Sequence, residues 1–154
     1  DKWLHGLQTM DCGLRTMDYK LIMNIKIGDE FSTSKQITDS VVRAFAELSG
    51  DFNPIHVDEE FAKTTRFGKR IAHGMISGAL LSAVLGYEFK ERKIVYLHQT
   101  MRFVAPVFID DTVTATATIT HIREDKPVVT LRTVCANQRG ETTLTGEAVV
   151  MIYS

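Results

Sequence analysis

The sequence predicts an α+β fold in which an antiparallel β-sheet wraps around one central α-helix. Residues 112–120 alternate strictly between threonine and apolar residues, which is typical of a strand with one buried face. Residues 75–85 are apolar or small all round, which is typical of a buried helix. This helix is the one predicted element able to cover the apolar face of the sheet.

The first half of the chain is predicted to hold one strand and one amphipathic helix. Residues 29–37 give a weak extended pattern that ends where Thr38 and Asp39 offer helix N-caps. Apolar residues then recur at spacings of three and four until Gly50, a natural helix terminator. This apolar stripe consists of Val41, Val42, Phe45, Ala46 and Leu48.

Polar segments lead from this helix to the central one. A turn over residues 51–56 is followed by a short helix that Asp58 can cap. Residues 64–70 then form a polar, basic loop. The central helix follows, and Gly86 is predicted to close it.

From residue 93 onward the hydrophobic period changes from helical to strand-like. Strict alternation at residues 112–120 and β-branched residues at 128–134 and 142–152 predict three strands, each bounded by Asp, Gly, Pro or Lys, and residues 94–104 add a fourth candidate. The extended segment at residues 29–37 supplies a fifth candidate strand. The four predicted antiparallel strands are residues 94–104, 112–120, 128–134 and 142–152.

Composition restricts the class of partner. The chain of 154 residues carries a net charge of -1, so it gives no electrostatic argument for nucleic acid or an anionic membrane. A small molecule or another protein is the expected partner. Cys12 and Cys135 lie far apart without metal-site spacing, which predicts neither a disulfide framework nor a zinc site and favours a reducing compartment.

The chain length favours one domain. Residues 1–20 are predicted to be a disordered tail or an expression remnant, with Met17 as a candidate natural start, and residues 21–154 a single domain. No apolar run is long enough to span a bilayer, and the first residues lack a secretory or transit pattern. These features favour a cytoplasmic protein, or a mitochondrial or peroxisomal one if the source is eukaryotic.

Two polar clusters precede or open the central helix, and their side chains are candidates for catalysis. Asp51 and His56 place a carboxylate and an imidazole five residues apart, across a turn favoured by Asn53 and Pro54. The second cluster, residues 71–75, opens the central helix. Turn formation alone would also explain Asp and Asn before Pro.

With Asp-Phe-Asn-Pro-Ile-His at residues 51–56 and Ala-His-Gly-Met at residues 72–75, the chain resembles the MaoC-like, (R)-specific enoyl-CoA hydratase family, whose fold is the hotdog fold. The resemblance runs from about residue 25 to residue 152. It includes Arg-Phe-Val-Ala-Pro-Val at residues 102–107 and Thr-Gly-Glu-Ala at residues 145–148. Many members carry Pro where this chain has Arg70.

The resemblance implies a catalytic pair, Asp51 and His56, with the Gly74 backbone N–H in the oxyanion hole. Ser82 is implied as a supporting polar residue near the pair. Asn53 is a candidate for orienting Asp51 or the substrate. Sequence leaves open which member of the pair is base and which is acid; we favour Asp51 as base, because a carboxylate is ionised at neutral pH.

The expected reaction is the reversible syn hydration of trans-2-enoyl-CoA to (R)-3-hydroxyacyl-CoA by a homodimer, without a cofactor. The dimer is expected because the edge strands would otherwise lie open. His73 is interpreted as structural, and a metal on the Asp51, His56 and His73 side chains is not favoured. Candidate substrate contacts are Lys63, Arg66, Lys69 and Arg70 for coenzyme A phosphates and Met75, Ile76, Val84 and Leu85 for the acyl chain.

Other functions remain open at this point. A 3-hydroxyacyl dehydratase acting on acyl-carrier-protein thioesters would dock its acidic partner on residues 66–70. A non-catalytic acyl-thioester-binding subunit is disfavoured because Asp51 and His56 are both present. A hotdog thioesterase is disfavoured because the Asn-Pro-x-His turn matches the hydratase pattern. The central helix also has no obvious carboxylate that could take over the role of this turn. Acyl chain length and pathway do not follow from the sequence.

Overall fold

The computed structural model describes residues 25–153, which contain five strands, joined in one sheet, and four helices. The predicted tail at residues 1–20, Met17 and Cys12 lie outside the described residues. The elements are β1 (Glu30–Gln36), α1 (Asp39–Ser49), α2 (Pro54–Val57), α3 (Glu59–Lys63), α4 (Gly74–Glu88), β2 (Lys93–Phe103), β3 (Thr112–Ile122), β4 (Val128–Asn137) and β5 (Thr142–Tyr153).

The five strands form one antiparallel sheet in the order β1-β3-β4-β5-β2. The four predicted strands of the second half and the fifth candidate, β1, are therefore confirmed. β1 and β2 are the two edges of this sheet. The register of β2 against β5 shifts between Tyr96 and His98, where a bulge bends the edge strand.

Helix α4 packs against the sheet, as predicted. Leu81 and Leu85 are each 1% exposed, and the buried residues of β3 alternate along that strand because side chains on one face point to the helix. The helix packs on β1, β2, β3 and β4. Burying apolar surface of this kind contributes about 25 cal/mol per Å² and is the main source of the fold's stability.

Helix α1 ends as the sequence predicts. The Thr38 side chain accepts a hydrogen bond from the Val41 N–H, and Gly50 closes the helix in the left-handed conformation, with φ 76°. A residue with a Cβ would be strained there. Leu48, assigned to the apolar stripe, is 84% exposed, so the buried stripe is narrower than predicted.

The predicted end of the central helix at Gly86 is wrong. Helix α4 continues to Glu88, and the Phe89 N–H bonds to the Leu85 carbonyl oxygen at 3.0 Å. Phe89 is 3% exposed and packs edge-on against Phe31, with ring centroids 5.6 Å apart. Burial of this ring by the sheet extends the helix past a glycine that adopts helical geometry. None of the described helices is long and apolar enough to cross a membrane.

Candidate active site

The turn after α1 positions the Asp51 carboxylate through local hydrogen bonds. The Asn53 N–H donates to Asp51 Oδ1 at 3.1 Å, and the Asn53 side-chain oxygen caps α2 by accepting from the Ile55 N–H at 3.2 Å. Pro54 fits the first turn of that helix because it has no N–H to satisfy. Asn53 thus orients Asp51 through its backbone, and its side-chain oxygen serves the helix. The Asp51 side chain is about half exposed.

His56 lies on α2 and is held by a backbone carbonyl 15 residues away. Its Nδ1 lies 2.8 Å from the Ile71 carbonyl oxygen. Because a carbonyl oxygen can only accept, Nδ1 carries the proton in the neutral ring, which leaves Nε2 as an acceptor. Burial lowers the pKa of His56 below the usual histidine value, and the neighbouring His73 adds to this shift, while the Ile71 carbonyl opposes it.

His73 is the buried member of the cluster, at 3% exposure. Its Nε2 donates to the Asp51 carbonyl oxygen at 2.9 Å. Its ring stacks on the His56 ring with centroids 3.9 Å apart and an interplanar angle of 30°. Phe45 of α1 contacts it at a centroid distance of 5.0 Å.

Asp51, His56 and His73 bring one carboxylate oxygen and two ring nitrogens within 4.8 Å of one another. Such a set has the chemistry of a metal site. The two imidazole rings overlap with an interplanar angle of 30°, and each has one nitrogen on a backbone carbonyl. The absence of a metal stays our prediction.

Gly74 opens α4 beside this cluster. The first N–H groups of a helix have no intrahelical acceptor, and they carry the positive end of the helix dipole. A Cβ at Gly74 would lie 2.8 Å from Cε1 of Phe103, closer than real side chains approach. Gly74 therefore lets α4 begin against the end of β2 and leaves its N–H open to a ligand.

A cavity of about 370 Å³ joins His56 to the start of α4. Its walls are mainly apolar and come from the loop before α4, from α4 itself and from the end of β2. Its lining residues are His56, Arg66, Phe67, Ile71, Ala72, Gly74, Met75, Ser77, Phe103, Val104, Ala105, Pro106, Val107 and Thr143. Gly74 and His56 thus line one mainly apolar cavity.

A second cavity of about 550 Å³ lies between α4 and β2. Met75 lines both cavities, and its substrate contact stays a prediction. Ser82 is exposed and lines the second cavity, whereas His56 lines the first, so within this chain the structure does not bring Ser82 to the acid/base pair. The remaining lining residues are Phe45, Gly78, Ala79, Tyr96, Leu97, His98, Gln99 and Met101.

The candidate acyl-chain residues of α4 separate into two groups. Met75 is 49% exposed, whereas Leu85 is 1% exposed and lines neither cavity. Val84 and Ile76 are likewise buried in the core. The structure thus gives Leu85 a packing role in place of the predicted substrate contact, because an all-round apolar helix exposes few of its positions in a chain of this size.

The basic loop before α4 uses its charges in different ways. Arg66 lines the first cavity and lies over the Phe67 ring, 4.8 Å from the centroid, and Lys69 lies 4.2 Å over the Phe108 ring. Lys63 pairs with Glu60 at 2.6 Å.

The Arg70 guanidinium bonds to Asp39 at 2.6 Å and to Glu59 at 3.0 Å. Its side chain is 14% exposed. The predicted phosphate contact therefore does not fit Arg70, which ties the loop to α1 and α3.

Sequence reasoning missed several residues of the site. The Ile71 carbonyl that fixes His56 carries no side-chain signal, since any residue offers it. Ser77 and Phe103 line the first cavity. Phe103 stood inside the segment that resembles the family, but its contact with Gly74 joins positions 29 residues apart and leaves no local pattern.

Comparison with known proteins identifies the family of the chain. Residues 24–138 match the MaoC like domain family. The chain is 46% identical to the (R)-specific enoyl-CoA hydratase of Rhodospirillum rubrum and 43% identical to that of Aeromonas caviae, in both cases over 84% of this chain and over 89% and 96% of the relative. The solved structure of the R-hydratase PhaJ1 from Pseudomonas aeruginosa superposes with a TM-score of 0.81 at 35% identity, covering 86% of this chain and 84% of that one. The hotdog fold is confirmed, and the chain belongs to the MaoC-like domain family.

Proposed function

We propose that the protein is an (R)-specific enoyl-CoA hydratase that adds water reversibly and syn to trans-2-enoyl-CoA, giving (R)-3-hydroxyacyl-CoA. The relatives from Aeromonas caviae and Rhodospirillum rubrum, which match over 96% and 89% of their length, carry this name. The observation that carries the proposal is the Asp51–His56 pair next to the open N-terminus of α4. Hydration of an enoyl thioester needs both an acid/base pair for the water and a hydrogen-bond donor for the thioester oxygen.

We propose that one water lies between the two catalytic side chains. Two hydrogen bonds of about 2.8 Å meeting at a water span about 4.6 Å. One ring nitrogen of His56 lies within 4.8 Å of an Asp51 carboxylate oxygen, a separation that one bridging water can span. Both groups are acceptors in their resting forms, so each takes one hydrogen of the same water and leaves its oxygen lone pairs free to attack C3.

The tautomer of neutral His56 helps to assign the roles of Asp51 and His56 in proton transfer. With Nδ1–H on the Ile71 carbonyl and the pKa lowered, Nε2 has no proton to give at neutral pH. The proton delivered to C2 therefore comes from the attacking water. We propose that Asp51 accepts this proton as hydroxide adds to C3 and returns it to C2, while Nε2 of His56 orients the water.

The thioester oxygen is proposed to bind at the Gly74 N–H. Negative charge develops on this oxygen as C3 is attacked, and a preorganised donor in an apolar cavity stabilises it more than water does. Loss of such a donor typically costs about 3 kcal/mol of transition-state stabilisation. The helix dipole of α4 acts in the same direction.

The remaining substrate contacts follow from the cavity walls. Arg66 is the candidate partner of a coenzyme A phosphate, with Lys69 beside it once it leaves the Phe108 ring. Met75 stands where the acyl chain would pass from one cavity to the other. The reaction adds only the hydroxide and the proton of one water to the substrate, so the proposal includes no cofactor.

We also propose that the enzyme is a homodimer. Edge strand β2 runs for 11 residues and exposes Val95, Tyr96 and Leu97, each by 37% or more. A long apolar edge of this kind is usually covered. The other edge, β1, is shorter and mostly polar, and it ends with a lysine and a glutamine.

The decisive test follows the loss of enoyl absorbance with crotonyl-CoA and longer enoyl-CoAs, and then determines the chirality of the product. Asp51→Asn and His56→Ala should each lower kcat by about 10²- to 10⁴-fold. Asp125→Asn and His121→Ala are matched controls, because both residues are exposed and outside the two cavities. An (S)-product, or full activity in either site variant, would refute the proposal.

The choice of carrier needs a second arm of the same assay. Two plant relatives, 29% and 30% identical, are named 3-hydroxyacyl-[acyl-carrier-protein] dehydratases. A much lower kcat/KM for coenzyme A thioesters than for the matching carrier-protein thioesters would favour that activity. We expect the opposite order.

A further inference from the structure

His73 lies between the two halves of the site, although its side chain has no place in the chemistry described above. It directly precedes Gly74, the proposed oxyanion donor. As the N-cap residue of α4 it makes no side-chain capping bond. Its ring turns instead toward the turn that carries Asp51, 22 residues earlier in the chain.

The hydrogen bond from His73 acts on the backbone of the catalytic carboxylate. Nε2 lies 2.9 Å from the Asp51 carbonyl oxygen, so the Nε2–H restrains the peptide unit that follows the Asp51 Cα. The Asp51 side chain itself is half exposed and has one described hydrogen bond, from the Asn53 N–H. The orientation of this carboxylate therefore depends on how firmly its backbone is held.

The ring of His73 acts on the catalytic imidazole. Its ring centroid lies 3.9 Å from that of His56, and the Phe45 ring of α1 contacts it with a centroid distance of 5.0 Å. The His56 ring is fixed in its plane by the Ile71 carbonyl, and the stack fixes it perpendicular to that plane. Nε2 of His56 is held in one position by these two contacts.

Core packing alone does not account for a histidine here. The side chain is buried, and its Nδ1 has no hydrogen-bond partner among the described residues. A buried unpaired polar atom destabilises the fold relative to an apolar residue of similar shape. An apolar side chain would not have that cost, but it would lack the donor to Asp51.

We propose that His73 is a positioning residue that sets the relative placement of Asp51, His56 and the Gly74 N–H. The inference rests on the proposed hydratase function, which it deepens. His73 contacts the two catalytic residues and adjoins the third group, and it need not touch the substrate. Its loss should therefore lower kcat with little change in KM.

Two amide variants separate the donor from general polarity. In His73→Gln the amide nitrogen reaches about as far as Nε2, whereas in His73→Asn it reaches only to the Nδ1 position. We expect His73→Asn to lower kcat for crotonyl-CoA by about 10- to 100-fold, as small misplacements of catalytic groups do. His73→Gln should keep kcat within about fivefold of wild type, and KM should change less than about threefold in both.

Thermal unfolding of both variants controls for a merely structural role. The inference predicts similar Tm values for the two amides but different kcat values. Equal loss of kcat in both, in step with equal loss of Tm, would overturn it, and so would wild-type kcat in His73→Asn.

A nuclear magnetic resonance measurement tests the geometry without enzyme activity. Ring ¹⁵N shifts at neutral pH should show the Nε2–H tautomer for His73 and the Nδ1–H tautomer for His56 in the wild-type protein. An Nδ1–H tautomer at His73 would overturn the inference. Failure of the proposed function is distinguishable, because the wild type itself would then hydrate no enoyl-CoA while these tautomers could still be observed.

Discussion

At the scale of single residues, the protonation of His56 sets the expected pH dependence. Burial, and then the neighbouring His73, lower its pKa, so the neutral ring with a free Nε2 extends below the ordinary histidine value of about 6.5. Asp51 and Arg70 also face this residue, with the Arg70 guanidinium 3.5 Å from its carbonyl oxygen. Protonation at Nε2 would remove the acceptor that holds the water.

We therefore expect kcat/KM for crotonyl-CoA to be constant as pH falls from 8 to about 6.5 and to drop only below that value. Because kcat/KM reports groups of the free enzyme, the midpoint of this acid limb gives the pKa of the unliganded site. A midpoint above about 6.5 would contradict the lowered pKa of His56.

Glycine at position 74 is expected to be required by its contact with β2. In Gly74→Ala the new Cβ would lie 2.8 Å from the Phe103 ring, so either the ring or the start of α4 must move. We expect a fall in kcat of about 10²-fold, because the displaced N–H no longer meets the thioester oxygen. The double variant with Phe103→Ala should regain part of this loss. Equal kcat in the single and double variants would show that crowding by Phe103 is not the cause.

At the scale of elements, Arg70 fastens the loop before α4 to two helices. Its guanidinium, 14% exposed, bonds to Asp39 on α1 and Glu59 on α3. Arg70→Ala should lower the free energy of unfolding by about 1 to 2 kcal/mol, because it removes charge-assisted hydrogen bonds of a partly buried group. Arg43→Ala is the matched control, since Arg43 pairs with the same Asp39 but is 55% exposed, and it should cost about 0.5 kcal/mol or less. Equal losses in urea unfolding would contradict this role for Arg70.

The elements themselves were largely predictable because their patterns are local. The threonine alternation of β3 and the cap at Thr38 are contained within a few residues and need no knowledge of the rest of the fold. The end of α4 was not predictable from Gly86, because the burial of Phe89 against Phe31 decides it.

The same distinction between local patterns and contacts of distant residues applies to the candidate site. The turn that carries Asp51 and His56 is a local motif, and the structure places both residues together. The Arg70 ion pair spans 31 residues and the His56 hydrogen bond to Ile71 spans 15, and no local pattern encodes either of them. Ser82 was predicted near the pair from the family motif, yet it faces the cavity between α4 and β2.

At the scale of the whole molecule, the two edges of the sheet differ in a way that predicts assembly. The exposed apolar residues of β2 lie beside the cavity between this strand and α4, where Met75 is also 49% exposed. A second copy that pairs with β2 would cover this surface, and a stable dimer interface typically buries about 800 Å² on each subunit. Ser82 would then face the interface between subunits.

We expect equilibrium sedimentation at micromolar concentration to give twice the chain mass of 17.3 kDa. Leu97→Asp should shift the protein toward the monomer, because it places a charge on the apolar surface of the edge strand, where Leu97 is 39% exposed. Leu48→Asp is the matched control: Leu48 is 84% exposed on α1, outside both cavities, so this variant should keep the mass of the dimer. A monomeric wild type, or equal dissociation of the two variants, would refute the assignment of β2 as the dimer edge.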